Sequence, residues 1–270
     1  CARFKDVQDM PLPKVPWQSI ETAWQSSQSA AEYQSNVALI KDQIAAGDIY
    51  QVNLCRVLSA DCDQGLQGLA NKLQLENPAP YASYFKLPDL EIASASPELF
   101  LHRQGDLIKS TPIKGTSATE EFGEKDRAEN VMIVDLMRND FGSICESGSV
   151  DVPRLLATQA HPGLFHLVSD VTGRLRTSIG WDEIAKALLP AGSISGAPKS
   201  SALKTIAKLE KIPRGPYCGL IGWVEGDQAV LSVAIRVFWS VNDGKIHFGT
   251  GAGITWASDA KSEWDETELK

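Results

Sequence analysis

The stretch "STPIKGTSAT", residues 110–119, sets a single lysine, Lys114, among Pro112, Ile113 and Gly115. Most lysines lie among polar neighbours on solvated faces. An amine held in tight apolar surroundings is instead poorly hydrated, and a desolvated lysine is a usable nucleophile. Two acidic pairs carry a second kind of chemistry. Asp126 and Glu129 are three residues apart, as are Glu263 and Glu266, with Lys270 four further on. That spacing puts both members of a pair on one helix face. Taken alone, each pair suits a solvated face. Should the two helices face each other, four carboxylates would meet and repel unless a cation neutralised them. Mg²⁺ is the natural one, bound directly by one or two carboxylates and by others through its waters.

The elements that must position these groups follow from pattern. Apolar residues Tyr33, Val37, Ile40 and Ile44 keep helical spacing between Ala30 and Ala46, and Gly47 suits a helix C-cap. "DIYQVNLCRVLSA" predicts a strand. Leu66 to Leu75 is helical and ends at Asn77-Pro78, and several short strands fit between Tyr81 and Pro112. "EKDRAENVMIVDLMRNDF" predicts a helix whose apolar middle is buried on most sides. Strands follow near 149–159 and 164–176, then helices near 181–189 and 199–211. Long strands over 217–225 and 228–241 join through Gly226-Asp227, and another covers 245–250 after the turn Asn242-Asp243-Gly244. "SDAKSEWDETELK" opens on a Ser/Asp cap and is helical. Strands in hairpin-like groups imply a large single α/β domain of mainly antiparallel or mixed sheets covered by helices. Residues 1–28, rich in proline and polar groups, predict an extended segment leading into a domain over 29–270. The opening "CARFKDVQDM", without methionine, is expected of a piece of a longer polypeptide.

The 270 residues are 43% hydrophobic and 22% charged, ordinary globular material. A formal charge of -8 without basic runs argues against nucleic acid, and no apolar run is long enough for a bilayer. Five scattered cysteines, Cys1, Cys55, Cys62, Cys145 and Cys218, fit reduced thiols of a cytosolic protein. "AGSISGAPKSS" imitates a phosphate loop. Pro198, without an N–H, stands where that loop needs glycine, which removes the nucleotide reading. The small residues there, and "GTGAGI" at 249–254, still let a ligand approach the backbone closely.

Ten stretches occur in one order: "GDIYQVNLCR", "SPELF", "TPIKGT", "AENVMIVDLMRND", "HLVSDVTG", "GSISGAPK", "GPYCGLIGW", "IR", "GTGAGI" and "SEWDETELK". From about residue 30 onward the chain resembles the chorismate-utilising enzymes, a family that includes anthranilate, isochorismate and salicylate synthases and aminodeoxychorismate synthase component I. The resemblance implies a sandwich of sheets flanked by helices, with a Mg²⁺-dependent chorismate site in the cleft. Two positions discriminate among the members. Isochorismate and salicylate synthases carry a lysine base where Gln51 stands, and glutamine cannot take a proton at neutral pH. Anthranilate synthases carry alanine where Lys114 stands, whereas aminodeoxychorismate synthase component I typically carries lysine.

The resemblance therefore implies amination of chorismate to 4-amino-4-deoxychorismate, a precursor of 4-aminobenzoate and folate. The ammonia would come from a glutamine amidotransferase subunit or fused domain. By the same resemblance Glu129 and Glu266 bind Mg²⁺ directly, with Asp126 and Glu263 acting through water. The family often has glutamate where Asp126 stands. Glu98 is implied as general acid and Lys114 as nucleophile. Arg236 and Tyr217 would grip the enolpyruvyl carboxylate beside the Gly251 and Gly253 amides, with His166 near the ring and Ser193 and Lys270 as further contacts. "NPAPYASYF" resembles part of a tryptophan pocket found in some members. The alternatives are an anthranilate synthase component I and, in another class, a non-catalytic partner-binding domain of the same fold.

Overall fold

The structure, a computed structural model, describes residue 3, residues 13–161 and residues 163–269. Lys270, Cys1 and part of the extended 1–28 segment lie outside the described residues. The chain runs β1 (Gln25–Ser26), α1 (Ala30–Ala45), β2 (Gln51–Asp61), α2 (Gln67–Glu76), β3 (Tyr81–Leu87), β4 (Leu90–Ser96), β5 (Leu99–Gln104) and β6 (Leu107–Thr111). It continues β7 (Ile113–Ser117), α3 (Glu124–Gly142), β8 (Asp151–His161), β9 (Leu164–Arg174), α4 (Trp181–Leu188), α5 (Gly192–Ser195) and β10 (Gly196–Ala197). The last elements are α6 (Lys199–Leu209), β11 (Leu220–Glu225), β12 (Gln228–Val233), β13 (Val237–Ser240), β14 (Lys245–Ile254) and α7 (Ala260–Leu269).

The strands form two seven-stranded sheets in which every pairing is antiparallel. One has the order β1-β2-β14-β13-β4-β3, with β10 on β2; the other is β11-β12-β5-β6-β9-β7, with β8 on β9. A core of Cys55, Phe100, Leu101, Val134, Phe141, Val171, Val237 and Trp239 draws on both sheets and α3. Helix α3 lies on β7 and β9, while α7 lies on α1 and β14. Among the described residues no helix is long and apolar enough to cross a membrane.

Local chemistry accounts for the helix ends. Ser29 accepts from the Glu32 amide and Glu32 accepts from the Ser29 amide, a reciprocal cap that starts α1. Asp259 accepts from the Ser262 amide and hydroxyl, each at 2.9 Å, and starts α7 with a one-way cap.

Three expectations need correction. Helix α3 is buried along one stripe, Asn130, Ile133, Val134, Met137 and Phe141, whereas Val131 is exposed. Its apolar middle therefore serves one face and not most sides. The strand expected over 228–241 is broken between β12 and β13, where Arg236 takes a φ of 50°. Finally, the strand expected over 245–250 does not stop there. Strand β14 runs on to Ile254, paired with β2 throughout.

Candidate active site

Strand β7 is short, but successive residues on it serve different partners. The Ile113 amide donates to the Glu98 carboxyl. Lys114 Nζ lies 3.9 Å from Glu129 Oε2 on α3, and both side chains are largely buried. Thr116 Oγ1 is 3.0 Å from His166 Nδ1 on β9. Between them Gly115 holds a φ of 92°, and a Cβ there would meet the Asp126 Cβ at 3.0 Å and Phe122 at 3.1 Å. Only glycine takes that conformation and admits the start of α3 so closely.

Glu98 follows β4 in "SASPELF" and is 4% exposed. Its amide bonds Ser96 Oγ at 3.3 Å, and Ser96 Oγ donates to the Val233 carbonyl at 2.6 Å, which pins the corner between the sheets. Burial pushes the Glu98 carboxyl up to about 7, against the opposing pull of Ser193, the Lys114 charge and the Ile113 amide. Ser193, on α5, is buried nearby. Its hydroxyl favours the charged carboxyl, yet it makes no hydrogen bond of ordinary geometry within the described residues.

The opposite wall comes from the other sheet. A Cβ on Gly253 would lie 2.3 Å from Gln51 Nε2 and 3.4 Å from Lys114 Nζ, so the glutamine amide and the lysine amine flank one point on β14. Gln51 is 1% exposed, and its Oε1 is buried without a hydrogen-bond partner among the described residues. On the same strand face, a Cβ on Gly251 would strike Cys55 Sγ at 2.8 Å and one on Gly249 the Tyr217 ring at 2.1 Å. The alternating glycines thus give up their side-chain volume to Tyr217, Cys55, Gln51 and Lys114. Cys55 and Val57 spend their amides on Glu210 and Ser27. The facing Gly251 and Gly249 are therefore non-hydrogen-bonded pairs, with their backbone groups directed away from β2.

The two acidic pairs do meet. Lys125 on α3 is 2.9 Å from Glu263 Oε1 on α7 and 3.9 Å from Glu129 Oε1. Burial raises the Glu129 carboxyl above its ordinary value, with lysines 114 and 125 opposing and Glu263 and Asp126 adding to the rise. Asp126 has a second task, accepting from the Gly123 amide at 3.1 Å to cap α3. Four carboxylates are donors of the kind Mg²⁺ takes. Among the described residues, however, no three His, Cys, Asp or Glu groups converge on a metal position, and Lys125 supplies the counter-charge.

His166 is 2% exposed and its Nε2 has no hydrogen-bond partner among the described residues. Burial first, then the charge of Arg236, lowers the imidazole to about 4, so it is neutral at pH 7. Arg236 is itself largely buried and makes no ion pair within the described residues, and burial alone lowers it. Tyr217 sits in the turn before β11, where the Cys218 amide bonds the Ala234 carbonyl two residues from Arg236. The false phosphate lysine, Lys199, is bound to Asp140 at 2.6 Å. A hollow of about 340 Å³ between α3 and β8, lined by Val131, Val134, Arg138 and Val152, uses the far face of α3 and none of these groups.

Glu98, Lys114, Glu129 and Ser193 thus come together, as do His166 and Arg236, and Glu263 joins through Lys125. Lys270 lies outside the described residues. Sequence reasoning passed over Thr116, Lys125 and His161. The first two were visible only as flanks of recognised stretches, and His161 only as a second histidine five residues before His166.

The chorismate binding enzyme family matches residues 2–270. The chain belongs to that family. It is 34% identical to "Aminodeoxychorismate synthase component 1" of Salmonella typhimurium, over 98% of this chain and 62% of the relative. It is 35% identical to "Anthranilate synthase component 1 1" of Haloarcula marismortui, over 96% of this chain and 56% of the relative. The chain therefore spans about 60% of the length of these relatives. The crystal structure of anthranilate synthase component I from Streptococcus pneumoniae superposes with a TM-score of 0.84 at 31% identity, over 97% of this chain and 60% of that one. MenF, the menaquinone-specific isochorismate synthase of Escherichia coli, shares the fold with a TM-score of 0.81 at 19% identity, over 97% and 64% of the two chains.

Proposed function

We propose that this chorismate-family chain aminates chorismate at C4, giving 4-amino-4-deoxychorismate through a covalent bond to Lys114. The names of the relatives divide between two aminations at equal identity, so the residues must decide. The observation that carries the choice is Lys114 Nζ, which lies in the site between the Gly253–Gln51 wall and Glu129, with Glu98 close by.

In its amine form Lys114 attacks C2. The ring double bond shifts, the C4–O bond breaks, and Glu98 passes its proton to the departing hydroxyl, which leaves as water. Ammonia then bonds to C4, the double bond shifts back, and the C2–N bond breaks to release Lys114. The Glu98 carboxylate takes the extra proton from the new ammonium group. The sum is one hydroxyl exchanged for one amine, with water released and no net change in the enzyme. Covalent catalysis splits one hard substitution into two allylic ones. A carboxyl poised at about 7 is suited to both proton transfers. Arg236 can take one substrate carboxylate in a two-pronged contact. Mg²⁺, held by Glu129 and Glu266 with Asp126 and Glu263 assisting, would neutralise the ring carboxylate. The ammonia would come from a glutamine amidotransferase partner.

Lys114→Ala should bind chorismate yet lose C4 amination by more than ~10³-fold, the scale of removing a member of a cooperating nucleophilic site. The small residue also opens C2 to direct attack by ammonia, so a trace of C2-aminated product is expected. With ammonia withheld, the unaltered protein should show a chorismate adduct by mass on the peptide carrying Lys114. C4-aminated product at full rate from Lys114→Ala would overturn the covalent route.

A further inference from the structure

At one corner of the site two histidines each keep a ring nitrogen that makes no hydrogen bond within the described residues, beside an arginine with no ion pair there. His161 ends β8 and His166 lies near the start of β9, across the hairpin that pairs His161 with Leu164. Their ring centroids are 5.5 Å apart at 43°. The Nε2 atoms of both rings are buried without a hydrogen-bond partner among the described residues. Arg236 bears on both rings electrostatically and pairs with no acid within the described residues. A buried polar nitrogen left unpaired costs roughly 1–3 kcal/mol. One such atom can be a packing compromise. Two of them beside an unpaired guanidinium call for a common anionic partner.

We propose that His161 is a further substrate-binding residue, donating an N–H to the same carboxylate that Arg236 receives. The inference rests on the chorismate reading above, because it needs a substrate with a carboxylate at that corner. Burial and the Arg236 charge both lower the His161 imidazole, so at neutral pH it donates one N–H and adds no charge. A neutral donor beside a guanidinium strengthens and orients the contact without raising the cost of the empty site, where a second cation would repel Arg236.

Two variants separate binding from packing. His161→Phe keeps a flat ring against His166 and removes both nitrogens; His161→Gln restores an N–H donor. Chorismate dissociation constants would be measured by calorimetry with Mg²⁺ present and ammonia absent. His161→Phe should weaken chorismate binding about tenfold, the size of one hydrogen bond to a charged group, with kcat falling less than threefold and thermal unfolding unchanged. His161→Gln should recover most of the affinity. The same titrations with chorismate methylated on its enolpyruvyl carboxylate should show no difference between wild type and His161→Phe. Wild-type affinity for chorismate in His161→Phe, or an equal loss for the methyl ester, would overturn the assignment. Failure of the wild type itself to bind chorismate would overturn the functional reading first.

Discussion

Glu98→Gln tests the general acid through two properties that must change together. Glu98 titrates near 7 in the fold, against an ordinary value of 4.5. The folded state therefore keeps a proton between these values that the unfolded state releases. Stability contributed by the neutral acid is complete below 4.5, falls as pH rises through the window, and is lost above 7. A displacement of this size corresponds to about 3 kcal/mol at 1.36 kcal/mol per pH unit. Glutamine has nearly the same shape, keeps an oxygen for the Ile113 amide and never charges. Glu98→Gln should match wild type near pH 4.5 and exceed it by up to about 3 kcal/mol at pH 8, read by denaturant unfolding at several pH values. The same change removes the proton donor, which should cost ~10²–10⁴-fold in C4 amination. The wild-type rate should fall above about pH 7 as the carboxyl ionises, provided free NH₃ is held constant as pH varies. Equal pH dependence of stability in both proteins, or a variant that retains its rate, would show that Glu98 is not a buried neutral acid acting on the substrate.

Glu129→Ala and Glu266→Ala should each weaken Mg²⁺ binding tenfold or more by calorimetric titration, in line with the effect of altering groups around a bound metal. The metal-free protein should be no less stable in Glu129→Ala, because Glu129 is already penalised by burial and by Glu263 and Asp126. Unchanged Mg²⁺ affinity in both variants would remove them from the metal site. With chorismate and Mg²⁺ but no ammonia, the wild type should make no isochorismate or salicylate, since Gln51 cannot act as base. Either compound as the main product would locate a base elsewhere.

The helices were legible because their signals are local. The Ser29–Glu32 cap and the spacing of Tyr33, Val37 and Ile40 need nothing beyond α1 to be understood. The break at Arg236 was not legible, because it lies in "AVLSVAIRVFWS", a run rich in the β-branched and aromatic residues that favour strands. What interrupts that run is the corner itself: the Val233 amide bonds the Glu98 carbonyl, and the Arg236 carbonyl bonds the Ala95 amide. The glycines of β14 were only partly legible for a related reason. Their lack of side chains showed room for a close approach, but not that Tyr217, Cys55 and Gln51, from distant parts of the chain, take up that room. The acidic pairs showed one helix face each. That the faces meet, and that Lys125 stands between Glu129 and Glu263, depends on α7 returning across α3 at the end of the chain. His161 was hidden because its significance lies only in its nearness to His166 and Arg236.

Charge is distributed along this site in a way that argues for the ligand. The chain carries a net charge of -8, so its overall field repels an anion and attraction must be local. Several other buried or half-buried cations are already matched: Arg214 to Glu210, Arg154 to Asp170 and Lys199 to Asp140. Among the described residues Arg236 is not, and two imidazole nitrogens near it are unpaired as well. At the other end Glu129, Glu263 and their neighbours outnumber Lys125. On the proposed reading, one end would accept an anion directly, while the other would accept one only with an added cation. Chorismate carries two carboxylates, and spanning these ends would put one against Arg236 and leave the other facing the acidic helices. On that reading, the imbalance of α3 and α7 would make binding depend on a divalent cation. On the same reading Lys114, whose Nζ lies 3.9 Å from Glu129, would meet the ring that joins the two carboxylates.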